Sequence, residues 1–517
     1  MGGYVEKEFV CNDRETVVAT MSGRVKGYRY DGVNTFLGIP YAQAGRFEEP
    51  QAVTPWTCIR ETQGYGYTCP LIHQKSPWSN IINPNRQYPQ SEDCQVLNVW
   101  TPTLDRGAKL PVVVWIHGGG YASGSCVELT AYDGSNMAKY GNVVSVSLNH
   151  RLNVLGYLDL SEYGERYKNS GNLGMLDIVA ALEWIRDNAE MFGGDPNCVT
   201  VIGQSGGGGK VSTLMQSPAA DGLFHRAVIM SGAGTQRYEE NENARLGEKI
   251  LQELGLTAGE ADKLKTIPLE KLFGAVERVN EKINMGNQII KGIWWQPTVN
   301  DWYMGEPTRV GFTEHAKTIP LMIGTVFSEF AMRSMMHNKN HAAEEERIAH
   351  VRNVYGKDTD ELLELFRKAY PERNIADLAC VDHMFRTPTI DYADRRAMDG
   401  CCATYVYLNT LELPYDDGMP LWHCGDIDFF FHNAEMSPLH QISGVTSDLQ
   451  EQIFGAFMNF ARTGNPNGQG IPEWPEYRAG EENTLLFGRE SGVRVDFDRE
   501  LSAKVQNARK VAPVVDF

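Results

Sequence analysis

The sequence predicts an α/β protein built on a large, mainly parallel central sheet. Residues 110–116 are apolar on both faces, a pattern typical of a central strand that helices cover on both sides. Residues 199–202 form a second short run without a polar face, and strand-like and helix-like stretches alternate along the chain. The chain has 517 residues and is 42% apolar, so it can bury one large core. We therefore expect a single domain over residues 1–517.

The N-terminal region is predicted to form a β-hairpin. Strand-forming residues are frequent over residues 16–41, and Asp31-Gly32 is a tight-turn signal. Residues 42–92 are rich in Pro, Gly, Tyr and Asn with little periodicity, which predicts a long surface excursion of the kind that shapes a cleft. A further strand is predicted over residues 93–100.

Buried strands and helices then alternate. An amphipathic helix is predicted over residues 175–189. The segments 239–290 and 341–400 are charged and helical, and we interpret them as helical insertions around the mouth of a site, not as separate domains. In addition to the two central runs, strands are predicted over residues 143–148, 226–232, 319–325 and 404–408.

A last long helix is predicted over residues 447–462. Ser447 and Gln450 have the spacing of a capping box, and Gly464 stands where a helix C-terminus favours glycine.

Composition and charge exclude several classes of partner. The formal net charge is −18, so phosphate-rich nucleic acids and anionic membranes would repel the protein. No stretch is long and apolar enough for a membrane span, and residues 1–8 lack the pattern of a signal peptide. The ten cysteines show neither CxxC pairs nor zinc-ligand spacing, which predicts thiols in a reducing compartment. We expect a cytoplasmic protein without a metal or a cofactor.

Gly-Gln-Ser-Gly-Gly at residues 203–207 joins the strand at 199–202 to a stretch of helical character. A strand, a G-x-S-x-G turn and a helix together predict a nucleophile elbow, with Ser205 on a strained turn. The glycines are needed because side chains two positions either side would collide with the neighbouring strand or helix. A plain loop is the alternative for the pentapeptide alone, and the flanking strand favours catalysis.

A serine hydroxyl needs a base to take its proton and an acid to orient that base. Glu329 follows the strand at 319–325 and has aromatic neighbours, which makes it the candidate acid. His423 follows the strand at 404–408 and is the candidate base. The alternatives are a surface carboxylate and a structural histidine. His117 is a rival base because it also follows a core strand, although three glycines come next and it fits a loop-bracing role better.

His117-Gly118-Gly119-Gly120 is the second strong motif. Acyl transfer needs N–H donors aimed at the developing oxyanion, and consecutive glycines allow the backbone to approach closely. We assign these donors to Gly119, Gly120 and Gly206. The loss of one such donor costs about 3 kcal/mol of transition-state stabilisation.

These motifs together resemble the type-B carboxylesterase (cholinesterase-like) family of α/β-hydrolases. The resemblance runs from about residue 25 to residue 477, nearly the whole chain. It is carried by Phe-Leu-Gly-Ile-Pro-Tyr-Ala at residues 36–42, Ser-Glu-Asp-Cys-Gln-Val-Leu-Asn-Val-Trp at 91–100, His-Gly-Gly-Gly-Tyr at 117–121, Gly-Asn-Leu-Gly-Met-Leu-Asp at 171–177, Phe-Gly-Gly-Asp-Pro at 192–196, the elbow at 203–207, and Ala-Arg-Thr-Gly-Asn-Pro at 461–466.

The resemblance implies the same roles for Ser205, Glu329 and His423 as nucleophile, acid and base. It also implies an oxyanion hole at Gly119, Gly120 and Gly206. A disulfide of the family corresponds to Cys69 and Cys94, which we expect to be reduced in a cytoplasmic chain. The structural ion pair of the family corresponds to Arg46 and Glu92.

Three residues depart from the family pattern. Gln204 stands where the elbow usually has Glu, and we hypothesise that the missing charge weakens stabilisation of protonated His423 and of cationic substrates. An unchanged pH–rate profile and an unchanged preference for cationic esters in Gln204→Glu would contradict this. Gly206 replaces the usual Ala, which predicts a looser elbow. Ile82 stands where cholinesterases place a Trp, so choline esters lack a cation–π partner.

We therefore expect a serine carboxylic-ester hydrolase that forms an acyl-enzyme on small to medium, uncharged, aryl or hydrophobic esters. Its partner would be the small-molecule ester. An amidase or acyltransferase with the same triad, and a non-catalytic cholinesterase-like binding protein, are the alternatives. The same side chains are either pocket walls or core, and the candidates are Tyr121, Gln204, Trp294, Trp295 and Phe330.

Overall fold

The structure is a computed structural model that describes residues 7–72, 86–234, 244–283 and 293–509. The chain divides into two compact units. The first spans Met1–Arg226 and Thr235–Glu306, and the second spans Ala227–Gly234 and Pro307–Phe517. The organisation as one domain stays a prediction, and each unit is described by itself.

The strands of the first unit confirm the predicted hairpin and the predicted central strands. Seven of them form a sheet in the order β1-β4-β5-β7-β9-β8-β10, and β2, β3 and β6 form a smaller sheet. The strands are β1 (Phe9–Val10), β2 (Val17–Thr20), β3 (Gly23–Lys26), β4 (Tyr28–Tyr30), β5 (Val33–Pro40), β6 (Ile59–Glu61), β7 (Val96–Thr101), β8 (Leu110–Ile116), β9 (Val144–Leu148) and β10 (Gly194–Gln204).

In the larger sheet β1, β4, β5 and β7 pair antiparallel in that order, whereas β8 runs parallel to both β9 and β10. Asp31 and Gly32, with φ of 50° and 82°, make the tight turn between β4 and β5. Ile116 at the end of β8 pairs with Gly203 near the end of β10. The two glycine motifs that follow these strands therefore start at the same edge of the sheet.

The helices of the first unit include the one that follows the elbow and part of a predicted insertion. Every residue of the helix after the elbow is buried, which is why it is apolar or glycine along most of its length. The helices are α1 (Ser135–Gly141), α2 (Asn153–Tyr157), α3 (Leu173–Asn188), α4 (Gly206–Met215), α5 (Ala244–Glu253) and α6 (Leu269–Ile283).

In the second unit, β11, β12, β13 and β16 are parallel neighbours and β17 is antiparallel to β16. A β-carbon at Gly324 would lie 2.2 Å from the ring of Tyr407, so only glycine permits this strand packing. The strands are β11 (Arg226–Met230, of which Arg226 belongs to the first unit), β12 (Leu321–Val326), β13 (Thr404–Asn409), β14 (Glu412–Leu413), β15 (Met419–Pro420), β16 (Asn483–Phe487) and β17 (Gly492–Val495).

The helical character predicted over residues 341–400 is present in the second unit. None of the helices in the described ranges of the chain is both long and apolar enough to cross a membrane. The helices are α7 (Pro307–Val310), α8 (Glu314–Thr318), α9 (Glu344–Tyr355), α10 (Thr359–Ala369), α11 (Arg386–Met398), α12 (Ile427–Phe431), α13 (Thr446–Thr463) and α14 (Arg499–Arg509).

Of the two caps predicted for the last long helix, α13, the C-terminal one is confirmed and the N-terminal one is wrong. Gly464 ends it in the left-handed conformation, with φ of 81°. The capping box at Ser447 is wrong, because the helix already includes Thr446. The Thr446 hydroxyl instead accepts the N–H of Ile442 at 2.8 Å, which anchors the preceding loop to the first turn.

Candidate active site

The elbow has the backbone conformation that the sequence predicts. Ser205 has φ of 58° and ψ of −127°, a strained combination for a residue with a β-carbon, and its side chain is partly exposed. A β-carbon at Gly203 would lie 2.3 Å from the carbonyl carbon of Gly207. One at Gly207 would lie 2.1 Å from the carbonyl oxygen of Ile116. The sharp turn therefore requires glycine on both sides of the serine.

The glycine loop after β8 lies directly against the elbow. Gly119 and Gly120 both have positive φ, 86° and 62°, and the N–H of Ser123 closes the loop on the carbonyl of Gly119 at 3.0 Å. The N–H groups of Gly119 and Gly120 donate no hydrogen bond to any described part of the chain. A β-carbon at Gly206 would lie 2.3 Å from the α-carbon and from the carbonyl oxygen of Gly120. The first unit thus brings together Ser205 and the three predicted oxyanion residues.

The space beside Gly206 is filled, and the expectation of a looser elbow stays a prediction. The space that an alanine methyl would occupy is filled by the backbone of Gly120. The missing side chain therefore lets the glycine loop approach more closely, because backbone replaces methyl in the contact.

His117, the rival base, is fully buried behind the glycine loop. Its Nδ1 lies 2.9 Å from the carbonyl oxygen of Gly118, and its ring stacks on His150 with centroids 4.8 Å apart. This placement fits the bracing role and not that of a base.

The second unit brings Glu329 and His423 together. Glu329 follows β12 with φ of 48°, and its carboxylate is buried. Oε1 accepts the hydroxyl of Ser231 at 2.6 Å and the N–H of Val326 at 3.0 Å, and Oε2 bonds Nδ1 of His423. The N–H of His423 also donates to the carbonyl of Glu329 at 3.2 Å. The pair is thus held through both side chains and backbone, with the imidazole bonded through Nδ1.

Two aromatic rings flank the imidazole of His423. Phe385 stacks on it with centroids 5.0 Å apart and an interplanar angle of 14°, and Phe330 lies 4.2 Å away. Sequence reasoning identified Phe330 but missed Phe385 and Ser231. Ser231 could have been found, because it directly follows β11, the neighbour of the strand that precedes Glu329. Phe385 carries no such signal.

Two further buried carboxyls surround Glu329. Burial, and next the negative charge of Glu329, raise the pKa of Asp382 and that of Asp426 to about 7. Asp382 accepts backbone N–H groups from the start of α11, including that of Phe385 at 2.8 Å, and Asp426 accepts the hydroxyl of Tyr407 at 3.1 Å. Because both are partly protonated near pH 7, the cluster carries less negative charge than its residue types suggest.

The predicted pocket residues differ in exposure. Tyr121 is buried, with its hydroxyl 3.2 Å from that of Thr213, and Trp295 and Gln204 are also buried, which favours the core alternative for them. Trp294 and Phe330 are half-buried.

Two further expectations from the family pattern concern the pairs Arg46 with Glu92 and Cys69 with Cys94. Arg46 and Glu92 form a two-pronged ion pair, with Nε 2.7 Å from Oε2. Cys69 and Cys94 are buried free thiols, and a hydrogen bond with Cys69, followed by burial, holds the pKa of Cys94 well above its ordinary value. Their reduced state in the cell stays a prediction. Ile82 lies outside the described residues.

Comparisons with known proteins identify the family. The model of the carboxylesterase family matches residues 14–506. The para-nitrobenzyl esterase of Bacillus subtilis (strain 168) is 34% identical over 505 residues, covering 95% of this chain and 98% of that protein. Carboxylesterase 1E of Rattus norvegicus is 31% identical, covering 89% and 88%.

Solved structures agree with this assignment and with the predicted fold. An esterase from Clostridium hathewayi, described as able to hydrolyse aliphatic aromatic polyesters, superposes with a TM-score of 0.92 at 46% identity and covers 97% of this chain and 100% of its own. A carboxylesterase of Geobacillus stearothermophilus superposes with a TM-score of 0.74 at 32% identity, covering 95% and 100%. The chain belongs to the carboxylesterase family and is a carboxylesterase with the α/β-hydrolase fold.

Proposed function

We propose that this carboxylesterase works through Ser205 as nucleophile, His423 as general base and Glu329 as the acid that orients it. His423 takes the proton of the Ser205 hydroxyl as the oxygen attacks the ester carbonyl. It then returns the proton to the departing alcohol, which leaves an acyl group on Ser205. Water, activated by the same base, releases the acid. Gly119, Gly120 and Gly206 stabilise the oxyanion of both tetrahedral intermediates through their N–H groups.

The observation that carries the proposal is the buried Glu329–His423 pair. Glu329 bonds Nδ1 of the imidazole and is itself held by Ser231 and by the N–H of Val326. A carboxylate on Nδ1 keeps the proton there and leaves Nε2 as the basic nitrogen, which is the tautomer that a general base requires. The strained φ of Ser205 and the unbonded N–H groups of Gly119 and Gly120 support the two remaining roles.

We further propose that the substrates are uncharged aryl or hydrophobic esters of small to medium size. The apolar rings of Phe330 and Phe385 lie against His423 and favour a substrate with an apolar group near the reacting centre. The transfer of such a group from water to an apolar site is favourable. The names of two relatives, a para-nitrobenzyl esterase and an esterase for aliphatic aromatic polyesters, point to the same class.

The test combines covalent labelling with an ester panel. A fluorophosphonate should label the native protein once, on Ser205, as located by mass spectrometry, and should not label heat-denatured protein. p-Nitrophenyl esters of graded acyl length should be turned over, and choline esters should be poor substrates. Absence of both labelling and turnover would contradict the proposal. Transfer of the acyl group to an added amine or alcohol in preference to water would favour the acyltransferase alternative.

We propose a single catalytic domain and a cytoplasmic location. The low cysteine density supports the location, because ten cysteines in 517 residues do not make the disulfide framework of an extracellular chain, and Cys69 and Cys94, which lie close enough to hydrogen-bond, provide the test. Acid quenching of intact cells, followed by alkylation under denaturing conditions and mass spectrometry, should find both cysteines alkylated. One cooperative thermal transition is expected for a single domain, and two separate transitions would contradict it.

Gly206→Ala, which introduces the usual residue of the family, is expected to lower kcat for an aryl ester about 10- to 100-fold. The added methyl would lie 2.3 Å from the backbone of Gly120, so the glycine loop must move. At least one N–H donor then no longer points at the oxyanion. Steady-state kinetics measure the effect, and Gly259→Ala is the control because its β-carbon meets open space. An unchanged kcat in Gly206→Ala would show that the contact is not needed.

A further inference from the structure

Lys210 lies on α4, five residues after Ser205, and is fully buried. Its Nζ donates a hydrogen bond of 3.0 Å to the carbonyl oxygen of His117, the residue at which the chain enters the glycine loop. In the described part of the chain this is the one hydrogen bond of the amino group. A buried lysine amine therefore ties the elbow helix to the base of the loop that carries Gly119 and Gly120.

A buried lysine of this kind is not explained by an ion pair. Lys339, the other fully buried lysine of the described ranges, is held by Asp377 at 2.7 Å and by Glu412 at 3.0 Å. Among the described residues, no carboxylate lies within ion-pair distance of Lys210. A methionine at this position would pack in the same space without the cost of burying a charge. Burial lowers the pKa of Lys210 to about 7, and the charge of Glu128 opposes this.

Lys210 carries the positive charge that titrates at the base of the glycine loop. His150 is neutral, because burial and next the charge of Lys210 hold its pKa well below the ordinary value. Arg151 is neutralised by Asp177, with Nη2 and Oδ1 2.7 Å apart. The titratable and charged groups that face Lys210 or the histidine stack beside it are His117, Tyr121, Glu128, His150 and Arg151.

We propose that Lys210 is a positioning residue for the oxyanion loop, and that its protonated form strengthens stabilisation of the transition state. Through the carbonyl of His117 it fixes the peptide from which the glycine loop starts, and it places its positive charge at the base of that loop. Fixed donors cost no reorganisation when the oxyanion forms, and a nearby charge polarises the peptide further. This inference rests on the proposed function of the same site.

Catalysis should therefore depend on the protonation of Lys210. Below about pH 7 the amine is charged and supports the loop fully, and as pH rises through this value the charge is lost. We expect an alkaline limb in the pH profile of kcat. In Lys210→Met, kcat should fall about 10- to 100-fold at pH 6.5 with KM within twofold, and the alkaline limb should disappear.

Two variants separate the tether from the charge. Lys210→Gln keeps an N–H donor, on a side chain one atom shorter, but carries no charge, so it should keep more of kcat than Lys210→Met while also losing the alkaline limb. Ser217→Ala is the matched control, since it removes a buried hydrogen bond of 2.7 Å to the same helix away from the loop. It should keep the wild-type profile.

A binding measurement distinguishes positioning from a general structural role. An aryl trifluoromethyl ketone, which adds the serine oxygen to its carbonyl and places an oxyanion in the hole, should bind Lys210→Met about 10- to 100-fold more weakly at pH 6.5. A ground-state amide analogue should bind both proteins equally within twofold. Equal loss for both ligands, or an alkaline limb that persists in Lys210→Met, would overturn the inference.

The folded state should report the same titration without any substrate. The pKa of Lys210 is lower in the folded chain than its ordinary 10.5 in the unfolded chain, so the unfolded chain holds more protons between about pH 7 and 10.5. Stability of the wild type therefore rises with pH across this window. Lys210→Met should melt about 2–5 °C above the wild type at pH 6.5, and the difference should shrink towards pH 10. A difference independent of pH would contradict the inference.

Failure of the inference and failure of the proposed function give different results. If fluorophosphonate labels Ser205 but the pH profiles of Lys210→Met and the wild type coincide, only the role of Lys210 is wrong. If neither protein is labelled and neither turns over an ester, the proposed function itself is wrong and the positioning role falls with it.

Discussion

Replacement of Ser205 by alanine is expected to lower kcat for a p-nitrophenyl ester about a millionfold. The hydroxyl oxygen forms the acyl-enzyme, and neither His423 nor the glycine loop can supply another nucleophile in its place. Alanine also has a β-carbon, so its backbone strain at φ 58° equals that of serine and the elbow keeps its shape. KM should change little. The measurement is single-turnover and steady-state hydrolysis with protein purified to exclude host esterases.

The control is Ser212→Ala, which removes a buried serine seven residues further along the same segment. It should retain kcat within about tenfold and should still react with fluorophosphonate, whereas Ser205→Ala should not. Residual turnover above about a thousandth of the wild type in Ser205→Ala would mean that another group carries the acyl transfer.

Glu329→Gln is expected to lower kcat about 10⁴-fold, the second largest effect. The amide has the size of the carboxylate, so packing is retained. Ser231 and the N–H of Val326 both donate to Oε1, which holds the amide oxygen there and turns the NH₂ towards Nδ1 of His423. The imidazole must then accept at Nδ1 and protonate Nε2, the wrong tautomer for a base. The pH–rate profile and kcat measure this loss.

Asp426→Asn is the matched control for Glu329→Gln. Asp426 is also a fully buried carboxyl in the second unit, and its pKa of about 7 means that it is already half neutral in an assay at pH 7. A neutral isostere should therefore change kcat by less than about tenfold. Equal losses in Asp426→Asn and Glu329→Gln would show that the assay responds to charge in the cluster and not to orientation of His423.

The elements that create the site were predictable because the chemistry of the site constrains short segments. The strand Leu110–Ile116 was predicted to the residue, since its two apolar faces leave no alternative. The glycines at 203 and 207 follow from steric contacts within one turn. The pairing of Glu329 with His423 followed from the rule that residues after parallel strands meet at one sheet edge.

What was missed depends on contacts between segments far apart in sequence. Phe385 reaches His423 from the residue before α11, and nothing near it in the chain marks this contact. The small hairpin of β14 and β15 is too short to show periodicity, although it is the segment that delivers His423 to Glu329. Tyr121 follows a glycine motif and was expected in the pocket, yet its hydroxyl finds Thr213 in the interior. Exposure of this kind is decided by packing and not by local pattern.

The backbone contact between Gly120 and Gly206 makes these two positions mutually dependent in evolution and in protein engineering. A methyl at 206 is acceptable only in a chain whose loop already lies further from the elbow, and such a loop leaves a gap when 206 is glycine. A methyl at residue 206 and a loop that lies further from the elbow are therefore each harmful alone and tolerated only together, which is the signature of sign epistasis. Libraries that vary one glycine at a time would score both as immutable, and paired libraries over the elbow and the loop are the way to reach the alternative arrangement.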